Sequence, residues 1–252
     1  MKIGIIGLGV VGTSIYKGLK DYHEVVGYDI NPKRSKNLLK EVMEANVIFL
    51  VLSTPLKNGR LNGSLIMEYL EKFEKEKFGG LVVIKSTLPI GFMDKARKLN
   101  LRIGYSPEFL HAKKALNEFL NPTFILFSGS LEDYGVYLQV FYWSTVLNRV
   151  YRVDDKVAEL TKLVMNAFAS TKISFVNEIE RICSIHGANV FDVMGFLRMD
   201  KRCADEYSYP LKGPYKGRCL PKDLQELINS TKDTHLLKAV HKVNGRKRRH
   251  GK

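Results

Sequence analysis

Cys219, Lys222 and Asp223 lie within five residues of one another in RCLPKD, at the end of a long irregular stretch that starts at Asp200. A thiol flanked by Arg218 and Lys222 sits among positive charges that favour the thiolate, the nucleophilic form of cysteine. Alone, such a cysteine is more often ordinary than catalytic. Lys162 and Asn166 form a second pair, four residues apart and so on one face of a helix. A lysine and an amide set into an otherwise apolar helix need partners or a task. A third group, Gly7-Leu8-Gly9-Val10-Val11-Gly12, is the GxGxxG pattern of a phosphate-binding turn. Its first glycine permits the turn, its second lets backbone approach a pyrophosphate, and its third allows close helix–strand packing. Asp29 ends the next strand candidate, where a carboxylate holds a ribose 2′-hydroxyl and repels a 2′-phosphate, so NAD is expected over NADP.

The elements that must position these groups follow from periodicity and punctuation. KIGII (2–6) precedes the glycine turn as a strand, a helix runs from the turn to about Lys20, and EVVGYD follows as the second strand. NVIFLVLS (46–53), LVVIKS (81–86), LRIGYS (101–106) and TFILFS (123–128) are further strand candidates, with helices near 64–77 and 91–99. Such alternation predicts an α/β fold, a Rossmann-like doubly wound parallel sheet. Ligands of such sheets bind beyond the carboxyl ends of the strands. Those ends carry Ser53-Thr54-Pro55, Ser86-Thr87-Leu88-Pro89 and Ser106-Pro107-Glu108. Each alone is plain turn chemistry, and together they suggest a site lining.

The segment from Asp154 to Gly187 contains no Pro or internal Gly, with acidic N-cap candidates at one end and a C′ glycine at the other. It predicts a long central helix apolar on more than one stripe, hence covered by several partners. A small helical domain follows, with segments near 189–198, 222–230 and 233–244. The boundaries expected are 1–150 for a nucleotide-binding domain, 151–244 for a central helical domain carrying the dimer contact and catalytic loop, and 245–252 for a basic tail.

The 252 residues suffice for a sizeable core, and a formal net charge of +14 suits an enzyme with phosphorylated ligands. Part of that charge is the ending GRKRRHGK, read as a solvated tail rather than a nucleic-acid contact. No run reaches membrane-spanning length. Cys183, Cys203 and Cys219 show neither metal-ligand spacing nor a disulfide framework, so no metal is expected and a cytoplasmic location fits.

The stretches KIGIIGLGVVG, KSTLPIGF, SPEFLHAKKAL, AELTKLVMNAFASTKISFVNEIE, DKRC and GPYKGRCLPKDLQEL occur in this order. In combination they resemble the UDP-glucose 6-dehydrogenase family, the UDP-glucose/GDP-mannose dehydrogenases. The resemblance implies oxidation of the C6 alcohol of a UDP-sugar to a carboxylate with two NAD, through a cysteine-bound thiohemiacetal and thioester. It implies Cys219 as nucleophile, Lys162 and Asn166 as oxyanion donors, and Asp223 as the carboxylate managing the alcohol proton. Thr87 and Glu108 match family residues at adjoining strand ends. Asp29, Thr54, Thr87 and Lys222 would touch the cofactor along with Gly7, Gly9, Val10, Val11 and Gly12. Glu108, Phe109, Leu110, Lys162, Asn166 and Arg202 would meet the substrate, Arg202 across a homodimer built on the long helix.

Departures accompany the match. The family's third, UDP-binding domain has no counterpart in these residues, so a separate chain supplying one is conceivable. A second family glutamate is Ala112 here, beside His111, and a glycine-rich stretch becomes Pro214-Tyr215-Lys216-Gly217-Arg218. Side chains there could obstruct a close backbone approach or recognise a different anion. Two alternatives therefore stand beside the dehydrogenase: a non-catalytic NAD-binding relative serving as scaffold, and a small hydroxyacid dehydrogenase, against which the CLPKD loop argues.

Overall fold

The computed structural model describes residues 1–200, 203, 210 and 213–250. Two compact units divide it: Met1–Pro55 with Asn62–Lys162, and Leu56–Leu61 with Leu163 onward.

The first unit contains, in chain order, β1 (Lys2–Ile6), α1 (Val10–Leu19), β2 (Glu24–Tyr28), α2 (Leu39–Val42) and β3 (Val47–Leu50). After β4 (Leu56–Lys57) and β5 (Arg60–Leu61), which belong to the second unit, come α3 (Ser64–Lys75), β6 (Leu81–Ile84), α4 (Phe92–Ala96) and β7 (Arg102–Tyr105). It closes with α5 (Ala115–Leu120), β8 (Ile125–Phe127), α6 (Leu131–Gln139), a 3-10 turn (Thr145–Arg149), β9 (Val150–Arg152) and the start of α7 (Asp155–His186).

A parallel sheet of order β2-β1-β3-β6-β7 forms its centre. Alternate residues of a strand face opposite sides. Val47 and Phe49 accordingly join Ile3, Ile5, Leu81 and Tyr137 on one face, while Ile48 and Leu50 join Leu70, Phe73, Val82 and Ile84 on the other. Both faces being covered, these strands read as unbroken apolar runs, each fully buried side chain contributing about 1.5–3 kcal/mol. Strand order reverses direction between β1 and β3, which opens a crevice beyond their carboxyl ends.

One strand candidate lies elsewhere. Within TFILFS, β8 pairs in parallel with β9 in a separate ribbon, and Ser128 bridges to Tyr105 of β7 in antiparallel sense. Phe127 explains the offset, because its ring lies where a Cβ on Gly104 of β7 would fall, 2.4 Å away.

The second unit holds the β4–β5 hairpin, the remainder of α7, α8 (Val190–Met199), α9 (Leu220–Ser230) and α10 (His235–His250). Asn58 and Gly59 both have positive φ, 52° and 75°, as a two-residue type I′ hairpin turn requires. The hairpin is fastened to α9. Fully buried Glu226 accepts from Arg60 Nε (3.0 Å) and Nη2 (2.8 Å) and from the Leu61 amide (2.8 Å), and Asn229 Nδ2 donates to the Gly59 carbonyl (2.8 Å). Helix α7 ends one residue before Gly187, which takes the left-handed conformation (φ 67°) of a C′ glycine. Helix α10 continues to His250, so the segment from 245 read as a tail begins on a helix. Residues 251 and 252 lie outside the described residues.

Candidate active site

In the first unit the glycine turn separates into the three roles its pattern implies. Gly7 has φ 96°, and a Cβ there would fall 2.2 Å from the Val51 carbonyl oxygen. A Cβ on Gly12 would meet the Gly7 carbonyl oxygen at 1.9 Å, so helix α1 packs against its own turn. Around Gly9 there is open space for 4 Å. Gly9 is the N-cap of α1 and supplies no side-chain cap, which leaves the first N–H groups, at half-buried Val11 and exposed Val10, to an anion. Asp29 braces this turn: one carboxylate oxygen accepts from the Leu8 amide and the other from the Asn31 amide, both at 2.8 Å. Each oxygen keeps a lone pair for a ribose hydroxyl. These residues fit the pyrophosphate and adenine-side ribose of NAD.

Neighbouring strand ends are tied together. Buried Thr54, after β3, donates its hydroxyl to the Thr87 carbonyl (2.8 Å), and Ser86 Oγ accepts from the Leu52 amide (2.8 Å). Thr54 thus fixes the crevice wall, while Thr87 itself is half-buried. Past β7, Glu108 pairs with the Lys85 ammonium at 3.0 Å and Phe109 lies under the Lys162 ammonium, 5.5 Å from its ring centre. Leu110 follows, half-buried. Burial opposes the charge of Lys85, but Glu108 and Tyr137 outweigh it and hold the lysine above its ordinary value of 10.5.

In the second unit, Cys219 is the N-cap of α9 and is exposed, at the positive end of the helix dipole. One turn on, Asp223 is fully buried. Its Oδ1 pairs with Lys222 Nζ at 2.6 Å, and its Oδ2 accepts from Asn166 Nδ2 at 2.5 Å. Asn166, 57 positions earlier on α7, is thus joined to Asp223 and Lys222 in the first turn of the helix that Cys219 caps. Lys222, expected at the cofactor, has its ammonium on Asp223. Arg202 lies outside the described residues.

The departures in the cysteine loop have a packing reason. Tyr215 points inward and is buried, with its amide donating to Asn244 Oδ1 (2.8 Å) and its carbonyl accepting from Asn244 Nδ2 (3.3 Å). Asn177 Nδ2 donates to the Gly213 carbonyl (3.1 Å). Gly213 and Gly217 keep positive φ, 70° and 89°, on either side of this anchor. Tyr215 therefore secures the loop, and Lys216 and Arg218 are exposed.

Several buried charges, among them Glu159, Lys85 and Glu226, have no local sequence signal. Glu159 accepts from the amides of Gly91 (2.8 Å) and Met93 (2.9 Å), fixing the turn that opens α4. Lys85 and Glu226 are buried too, and in sequence each is an ordinary charge beside an apolar run. Among the described residues no cluster of His, Cys, Asp and Glu could hold a metal, and no helix is long and apolar enough to cross a membrane.

Comparison with known proteins identifies the family. Residues 35–146 match the NAD binding domain of the UDP-glucose/GDP-mannose dehydrogenase family, and residues 156–246 match its central domain. The chain is 28% identical over 232 residues to a UDP-glucose 6-dehydrogenase of Pseudomonas aeruginosa, covering 84% of this chain and 51% of that protein. It is 32% identical over 220 residues to a UDP-glucose 6-dehydrogenase of Bacillus subtilis, covering 81% and 50%. It spans about half the length of these relatives. A UDP-glucose dehydrogenase structure from Pyrobaculum islandicum shares the fold, with a TM-score of 0.86 at 24% identity over 97% of this chain and 68% of that one. With two of its domains matched in order over most of the sequence, the chain belongs to the UDP-glucose/GDP-mannose dehydrogenase family, and its cofactor is NAD.

Proposed function

We propose that this chain is an NAD-dependent nucleotide-sugar 6-dehydrogenase that oxidises the C6 alcohol of a UDP-sugar to a carboxylate through Cys219. The observation that carries the reading is the Asn166–Asp223–Lys222 network with Cys219 at the head of the same helix. NAD supplies the hydride acceptor for both oxidations. Asp223 takes up the alcohol proton through water, and Cys219 adds its sulfur to the aldehyde carbon, giving a thiohemiacetal. Lys162 and Asn166 donate to the oxygen as negative charge develops there. Loss of hydride from that carbon leaves a thioester, and water attacks it to release the acid and restore the thiol. By the family resemblance, Thr87 and Glu108 also serve the reaction, and Phe109, Leu110 and Arg202 meet the sugar nucleotide.

The NAD-binding part in this reading is 1–150 and the catalytic helical part 151–244. Dimerisation through α7 fits its surface. Leu163, Ala167, Val176 and Cys183 are buried within the chain, whereas Phe168 is 62% and Ile185 79% exposed. A second copy would cover these, and α8 adds Phe196 at 71%.

The test is NADH formation by purified protein across UDP- and GDP-sugars. Two NADH per sugar support the thioester route, and Cys219→Ser stops the second oxidation. Ala112, at a position where the family carries a glutamate, favours the non-catalytic relative as second reading. NAD binding without turnover on any sugar would establish that one instead.

A further inference from the structure

We propose that Lys85 is the positioning residue for Glu108, fixing the direction in which that carboxylate meets the substrate. The role rests on the dehydrogenase reading of Glu108 given above. Lys85 follows β6 and Glu108 follows β7, which are neighbours in the sheet. Glu108 has one oxygen 3.0 Å from Lys85 Nζ and the other accepting from the Phe109 amide at 3.0 Å. One strand end thus holds each side of the carboxylate. Lys85 is fixed in turn, donating to Ser106 Oγ (3.1 Å), which pairs with Tyr137 Oη at 2.8 Å. Ser106 and Tyr137 are fully buried and Lys85 nearly so, but the Glu108 side chain remains 16% exposed.

The chain therefore runs from a closed interior, through a cation, to a carboxylate that opens outward. Beside the pair lies a small pocket lined by Pro107, Phe109, Phe119, Phe124 and Phe141, whose apolar side chains lower the local dielectric around the ion pair. A buried lysine that merely filled space would serve stability less well than an apolar side chain of the same volume. Its retention beside a site carboxylate is accounted for by orientation. Around the pair, Tyr137 faces from α6 and Lys162 reaches the Phe109 ring from α7.

The experiment compares K85M, E108Q and the double variant K85M/E108Q on the nucleotide sugar that wild type oxidises, with kcat and KM determined separately. K85M is expected to lower kcat at least about tenfold with KM for the sugar within about threefold, the signature of lost transition-state interaction. In the E108Q background the same substitution should add less than about a twofold loss, since Lys85 acts only through Glu108. Wild-type kcat in K85M, or the same loss in both backgrounds, overturns the proposal. If K85M fails to fold, the double variant, which leaves no unpaired buried charge, is compared with E108Q, and a further loss beyond about threefold overturns it. An inactive wild type, or E108Q as active as wild type, overturns the underlying reading and this role with it.

Discussion

Replacing Asp223 by Asn removes one charge and almost no volume, which isolates the electrostatic part of the network. Both carboxylate oxygens are engaged in the native chain, one at 2.6 Å from Lys222 Nζ and one at 2.5 Å from Asn166 Nδ2. An amide presents one oxygen and one NH2, so one of those partners must meet a donor. Turning over the Asn166 amide relieves that contact, but then Lys222 keeps only a neutral acceptor. Lys222 is 19% exposed and can swing toward water, whereas Asp223 has no exposure at all. Hydrogen bonds to charged groups contribute about 1.5–3 kcal/mol each, and partial escape of the lysine leaves a net loss of about 2 kcal/mol. For a chain of this size that lowers Tm by roughly 4–8 °C. Turnover should fall further, by about 10²–10⁴ in kcat, if the carboxylate carries the alcohol proton. Thermal unfolding followed by circular dichroism measures the first effect and NADH absorbance the second. An unchanged Tm would mean that the network does not form. A lowered Tm with native kcat would remove Asp223 from the chemistry while leaving its structural role.

Further expectations concern the cofactor, the assembly and pH. Asp29→Ala should narrow the preference for NAD over NADP and also weaken NAD itself, because the Leu8 amide loses its partner; calorimetry giving NADP the tighter binding in wild type would refute the assignment. Sedimentation at micromolar concentration should show twice the chain mass, and a monomer would leave the exposed faces of α7 and α8 unexplained. His23 is buried, its Nε2 lies 2.9 Å from the Val140 carbonyl, and burial lowers its pKa from 6.5. Its contribution is present above about pH 6.5 and lost as pH falls through the lower folded value, so stability should decline on mild acidification. His23→Gln, which keeps a donor, should flatten that slope in urea titrations; an unchanged slope would place its origin elsewhere.

What could be read from the chain depended on whether a residue's partner was local. Gly7, Gly9 and Gly12 impose their conformations within one turn, and the strands of the sheet announce themselves because burial on both faces makes each a continuous apolar run. Asn58-Gly59 was equally local, a hairpin turn written in two residues, and its flanking strands of two residues each were too short to attract attention. The buried charges are different in kind. Glu226 is an unremarkable helix residue until Arg60, 166 positions earlier, closes on it, and Lys85 is a polar end to an apolar strand until Glu108 lies beside it. Tyr215 shows the same dependence in reverse: met in sequence it looks like an obstruction where glycine is wanted, and only Asn244 and the fold of the loop turn it inward. Burial of a charge becomes tolerable only through such distant partners. Long-range pairing is thus what converts ordinary charged positions into fixed groups, and one of those groups, Lys85, holds a carboxylate of the proposed chemistry.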